Sequence, residues 1–175
     1  TQVADQLDDL THDIIRESLR YFGINKGFQV ATYSTLPTTT GLGASSTLMV
    51  ALVNALNLIK GNIISPWEVA KEAHHIERNI LSLEGGIQDQ YIAALGGVKV
   101  LEVSKTGEVS AKELNIAEHN RHEIERGLVL IHTSEVRDST KVIKSQQYDK
   151  ERMLENYDKI KEIGQESIQY LLKGD

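Results

Sequence analysis

Apolar positions along the chain change their spacing several times, and each spacing predicts an element. Val3, Leu7, Leu10, Ile14, Leu19 and Phe22 recur at helical intervals and end at Gly23, which predicts an amphipathic helix over 3–22. Residues 27–36 (GFQVATYSTL) are β-branched and aromatic and stop at Pro37, a strand pattern. Residues 44–60 are apolar nearly all the way round, as expected of a buried central helix. Ser65-Pro66-Trp67-Glu68 supplies an N-cap, a proline at the first helical position and a capping-box glutamate, so a third helix should run to about Leu81. Gly85-Gly86 interrupts, a short helix over 88–95 follows, and Gly96-Gly97 stops it. Residues 98–103 and 109–115 read as strands about a Lys105-Thr106-Gly107 turn, and 128–132 as a short apolar strand. A long charged helix over roughly 146–172 carries Leu154, Tyr157, Ile160, Ile168 and Leu171 on its inner stripe. Together these elements predict an α+β fold in which a mixed sheet from the strands near 27, 98, 109 and 128 packs against helices. A domain boundary is expected in the loop near 133–140.

Composition narrows the classes. The 175 residues are 40% hydrophobic and 25% charged, enough for a sizeable soluble core. Cysteine is absent, which removes disulfides, thiolate zinc sites and a cysteine nucleophile, and agrees with a reducing, cytoplasmic setting. The 19 Lys and Arg against 25 Asp and Glu leave a net charge of −6 with no basic stripe, which argues against nucleic-acid or anionic-membrane partners. The longest apolar run, Leu48 to Ile59, is broken by Asn54 and Asn57 and is too short to span a bilayer. The chain opens at Thr1 without a leader-like segment and reads as an excerpt of a longer protein.

Three stretches carry chemistry. In Pro37-Thr-Thr-Thr-Gly-Leu-Gly43-Ala-Ser-Ser-Thr47 a glycine-rich turn feeds a helix. Glycine lets the backbone approach closely, and the first N–H groups of a helix lack intrahelical partners, so the spot suits phosphate oxygens. Ser45, Ser46 and Thr47 add hydroxyls for phosphate or a magnesium ion. No Lys completes a Walker loop, and Ser46 stands where a dinucleotide fingerprint needs its third glycine; a plain flexible turn stays open as the bland alternative. Drawn at about 100° per residue, the third helix puts Glu77 inside the apolar arc of Val69, Ala70, Ala73, Ile76, Ile80 and Leu81. A carboxylate there needs a metal ion or a buried cation, or else reaches solvent at the stripe's edge. In Glu84-Gly85-Gly86-Ile87-Gln88-Asp89-Gln90-Tyr91 the glycines place Asp89 near a helix N-terminus, as a proton acceptor or as a plain helix-start residue. His74 and His75 are adjacent and have no partner at metal-binding spacing, His119 and His122 sit in the charged EHNRHEIER stretch, and all four read as surface residues; no Gly-x-Ser-x-Gly elbow is present.

PTTTGLGASSTLMVALVNAL resembles the ATP-binding signature of the GHMP kinases, and IERNILSLEGGIQDQYIAALGG is similar to the segment that follows it in that family. Glu77 and Asp89, twelve residues apart, match its Glu and Asp. The Asp-Gln-Tyr form is similar to the sugar-kinase branch, and most of all to the D-glycero-D-manno-heptose phosphate kinase group. The resemblance covers roughly residues 20–175. It implies a ribosomal-S5-domain-2-like N-terminal domain over 1–132, incomplete at its start, and the loop and long helix opening a second domain over 133–175. It implies that Pro37, Gly41, Leu42, Gly43, Ala44, Ser45, Ser46 and Thr47 hold ATP, that Ser45 and Glu77 ligate Mg2+, and that Asp89 orients or deprotonates the acceptor hydroxyl. Arg137, in the Thr133–Ser139 loop, would contact an anionic substrate. The implied activity is ATP-dependent phosphorylation of a sugar or sugar phosphate, a heptose phosphate before a galactose- or fucose-type sugar. A non-catalytic nucleotide-binding module is the competing reading, and a homo-oligomer stays open. The family's N-terminal strands and second glycine-rich stretch have no counterpart here, so little or no turnover is expected of this chain alone.

Overall fold

The computed structural model describes residues 2–34, 41–131 and 150–174. These fall into two compact units, one up to Leu95 and one from Gly96 onwards. The boundary expected near 133–140 lies outside the described residues.

The first unit is helical. A 3-10 turn (Leu7–Asp9) precedes α1 (Asp13–Tyr21), followed by α2 (Ala44–Ile59), α3 (Pro66–His75), a wide π-turn (Ile76–Ile80) and α4 (Gln88–Leu95). The first helix starts ten residues later than its periodicity predicts. Gln2 donates to the Asp9 carbonyl and accepts from the Thr11 backbone N–H and hydroxyl, and Leu10 is extended. Those local bonds compete with the helical ladder. Leu7 and Leu10 nevertheless pack on the core, so the apolar stripe is real although its backbone is not continuous helix.

α2 is the central helix. Met49, Val53 and Leu56 are wholly buried among Leu19 and Phe22 of the α1 end and Val69, Ala73 and Ile76 of the α3 segment. α3 begins on the predicted capping box: Ser65 Oγ accepts from the Glu68 N–H, and Glu68 Oε2 accepts from the Ser65 N–H at 2.7 Å. Trp67 meets Tyr91 edge-on, with ring centroids 4.9 Å apart, which ties α3 to α4.

In the second unit β1 (Lys99–Val103) and β2 (Val109–Glu113) form an antiparallel pair with Lys99 opposite Glu113 and Val103 opposite Val109. Gly107, at φ 83°, makes the turn. α5 (Glu118–Gly127) and α6 (Lys150–Lys173) follow. α5 was not anticipated, because its EHNRHEIER run lacks an apolar stripe; His119 and His122 on it are exposed, as expected.

Two predicted strands do not form among the described residues. Residues 27–34 are irregular, and so are Leu128 to Ile131, whose side chains are 68–79% exposed. A strand needs a ladder partner to satisfy its N–H and C=O groups, and among the described residues only β1 and β2 pair. Among the described residues the sheet is therefore two-stranded, β1 with β2, and the strands expected near 27 and 128 do not join it. On α6, Leu154, Tyr157 and Ile160 are at least half exposed, so the predicted inner stripe is uncovered there, while Ile168 and Leu171 are partly buried.

Candidate active site

The site is built where the start of α2, the π-turn and the start of α4 meet. Gly43 is the N-cap of α2, at φ 69°. It has no side chain to cap the first N–H groups of the helix, and the backbone of Gly41, at φ 71°, turns the same way. A Cβ at Gly43 would lie 3.1 Å from Cγ of Asp89, so the half-buried Asp89 carboxyl packs directly on the glycine loop. Leu42, Ala44, Ser45 and Thr47 are exposed along the first turn. The Thr47 hydroxyl is turned back onto the Gly43 carbonyl at 3.0 Å.

Glu77 lies in the π-turn and is 3% exposed. The turn arises where the helix ladder lengthens, with the Leu81 N–H reaching back to the Ile76 carbonyl. Ser46 is 4% exposed and its Oγ donates to Glu77 Oε1 at 3.0 Å, and Gln90 Nε2 donates to Ser46 Oγ at 3.1 Å and to Glu77 Oε2. No ion pair to Glu77 is found among the described residues. Half-buried His74, one turn back, is pushed below its ordinary value by burial and by Arg78, against the opposing pull of Glu77.

Arg78 holds the linker between the π-turn and α4. Its Nη1 donates to the Leu83 carbonyl at 2.7 Å and its Nη2 to the Gly86 carbonyl at 2.8 Å. A Cβ at Gly85 would sit 2.5 Å from Nη2, so a larger residue there would displace the Arg78 guanidinium from these carbonyls.

Of the expected site residues, the fold brings Gly43, Ser46, Glu77 and Asp89 together. It leaves Ser45 exposed on the first turn of α2, with the neighbouring Ser46 as the serine on Glu77. Pro37 and Arg137 lie outside the described residues. Sequence reasoning passed over Gln90 and Arg78. Gln90 was readable in principle, because Ile87, Gln90, Tyr91 and Ala94 share one helical face and place an amide on an apolar stripe.

The residues present suit a hard divalent cation. The donors are all oxygens, the buried Glu77 carboxylate has no described ion-pair partner, and the buried Gln90 Oε1 has no hydrogen-bond partner. No cluster of three or more His, Cys, Asp and Glu that could hold a metal occurs among the described residues. A nucleotide-bound magnesium does not need one, since it keeps waters and phosphate oxygens as ligands.

The chain is similar to known proteins along much of its length. The model of the GHMP kinases N terminal domain matches residues 9–97, just over half the chain. D-glycero-alpha-D-manno-heptose 7-phosphate kinase of Campylobacter jejuni is 39% identical over 116 residues, 64% of this chain and 33% of that protein. L-fucokinase/L-fucose-1-P guanylyltransferase of Bacteroides fragilis is 34% identical over 99 residues, 57% of this chain and 10% of that protein. The crystal structure of a D-glycero-D-manno-heptose 1-phosphate kinase from Bacteroides thetaiotaomicron superposes with a TM-score of 0.76 at 29% identity, covering 99% of this chain and 52% of that one. The chain thus spans a third of its curated heptose phosphate relative and about half of that solved structure. No helix among the described residues is long and apolar enough to cross a membrane.

Proposed function

Taking as premise that the chain belongs to the GHMP kinase family, we propose that it carries the nucleotide- and acid-bearing part of an ATP-dependent sugar phosphate kinase. The observation that carries this reading is the convergence on the start of α2: Asp89 packs on its N-cap glycine and Glu77 bonds the serine of its first turn.

The N–H groups that lead into α2 from Gly41, up to Thr47 whose own N–H already bonds the Gly43 carbonyl, receive the triphosphate, aided by the helix dipole. Ser45 offers its hydroxyl to the same oxygens, while Ser46 holds the Glu77 carboxylate. Magnesium, when bound, neutralises the phosphoryl oxygens that gain charge during transfer, and Ser45 and Glu77 would hold it. Asp89 accepts the proton of the attacking sugar hydroxyl or orients that hydroxyl for attack. Such transfer needs positioning and charge neutralisation more than covalent chemistry, so a lysine in the loop is dispensable. A heptose phosphate is the acceptor favoured by the two heptose phosphate relatives, with a fucose-type sugar next. The missing cysteines and the acidic balance suit a cytoplasmic enzyme acting on a small molecule.

The test uses the natural gene product that contains this chain. Asp89→Asn should reduce transfer to a heptose phosphate by about 10²–10⁴-fold while leaving ATP binding nearly unchanged. Wild-type ATP binding without transfer to any sugar in an acceptor screen would instead identify a nucleotide-binding module.

A further inference from the structure

The buried side-chain oxygen left without a hydrogen-bond partner among the described residues is Gln90 Oε1, on a residue that is 0% exposed. The rest of its amide is fully engaged. One nitrogen donates to both Ser46 Oγ and Glu77 Oε2, and Ser46 in turn donates to Glu77 Oε1, which closes a ring of three hydrogen bonds. If this position served packing alone, Met or Leu would fill it without stranding a carbonyl. The amide cannot turn over either, because its oxygen would then face Glu77 Oε2, acceptor against acceptor. The stranded oxygen is therefore the consequence of aiming one N–H at the acid and the other at the serine that holds it. Asp89, one residue earlier and about 100° round the helix, faces Gly43 instead.

We propose that Gln90 is a positioning residue that locks the Glu77 carboxylate and the Ser46 hydroxyl in the orientation in which Glu77 meets the divalent cation. This rests on the reading of Glu77 given above. Gln90 itself touches neither nucleotide nor sugar in this arrangement. It acts through Glu77, so its loss lowers the affinity for the metal and leaves the affinity for the acceptor unchanged.

The experiment measures Mn2+ binding by the electron paramagnetic resonance signal of the free ion, using the natural gene product with a non-hydrolysable ATP analogue. Wild type, Gln90→Met, Glu77→Gln and the double variant are compared. Gln90→Met should weaken Mn2+ binding about 10–100-fold, Glu77→Gln by at least as much, and the double variant no further than Glu77→Gln alone. Unchanged Mn2+ affinity in Gln90→Met beside a weakened Glu77→Gln overturns the inference and spares the reading of Glu77. Unchanged affinity in Glu77→Gln overturns that reading and the inference with it. Additive losses show that Gln90 acts independently and also overturn the proposal. Should Gln90→Met lack a cooperative thermal transition, Gln90→Asn replaces it: the shortened amide should raise the half-saturating Mg2+ concentration at constant acceptor KM, and a rise in acceptor KM as well refutes the assignment.

Discussion

Two glutamates five residues apart, Glu72 on α3 and Glu77 on the π-turn that extends it, both bond to α2, and they differ in how completely their partners are satisfied. Glu72 Oε2 accepts from Asn57 Nδ2 at 2.6 Å, Asn57 Nδ2 also reaches the Val53 carbonyl at 3.1 Å, and Asn57 Oδ1 accepts from Asn62 at 3.2 Å. The Tyr21 hydroxyl closes the other side at 3.3 Å from Glu72 Oε1. Every end of that amide is used. At Glu77 the corresponding amide, Gln90, keeps a bare oxygen. A closed network rigidifies the junction of α1, α2 and α3, whereas at Glu77 the amide gives up one of its own bonds to hold a buried carboxylate that has no described ion-pair partner. The same chemistry therefore serves as mortar at one site and as a socket at the other.

The sharpest way to break that contrast is to neutralise each acid in turn. Glu77→Gln should lower metal-dependent transfer by roughly 10²–10³-fold, while Glu72→Gln should leave turnover within about two-fold of wild type and lower only the unfolding temperature; equal kinetic losses would erase the distinction. Next, Asn57→Ala should cost about 1–3 kcal/mol of stability by orphaning Glu72 and Asn62, read by chemical denaturation, with Mn2+ affinity unaltered. Gly43→Ala should cost about 1–2 kcal/mol through its left-handed backbone and weaken nucleotide binding by crowding Asp89, whereas the same change at Gly61, at φ 80° with open space around it, should show the stability loss without the binding loss. The smallest effect belongs to the cap of α3. Ser65→Ala should cost about 1 kcal/mol, seen as a small fall in melting temperature. The Ser65 backbone N–H and then its hydroxyl hold the Glu68 carboxyl below the ordinary carboxylate range. Its contribution is thus present above that range and is lost as pH falls through the depressed value, so the gap between wild type and Ser65→Ala should narrow on acidification.

Legibility followed locality. The capping box at Ser65 and Glu68, the all-round apolar α2 and the Gly107 hairpin are each decided within a few residues, and all three formed where periodicity and turn chemistry put them. The strand patterns at 27–34 and 128–131 satisfied the same composition rules, yet a strand also needs a neighbour, which no local pattern supplies. α5 went unread for the converse reason: it is a solvated helix with little apolar stripe to betray it. In the site, Glu77 was visible as a charge on the wrong side of a helix and Asp89 as an acid after two glycines. The serine that meets Glu77 was not decidable between Ser45 and Ser46, since one residue of helical phase separates an exposed hydroxyl from a buried one. Arg78 was passed over because its partners are backbone carbonyls, which leave no mark in a sequence.

The grip of Arg78 on the Leu83 and Gly86 carbonyls has a mechanical consequence. The residue next to Glu77 braces the far end of the linker that launches α4, so the two helices bearing the acids are joined by a strut rather than a hinge. The lead-in to Asp89 is thereby fastened to the neighbour of Glu77 in the chain, through a guanidinium bonded to the backbone of that linker rather than to either acid.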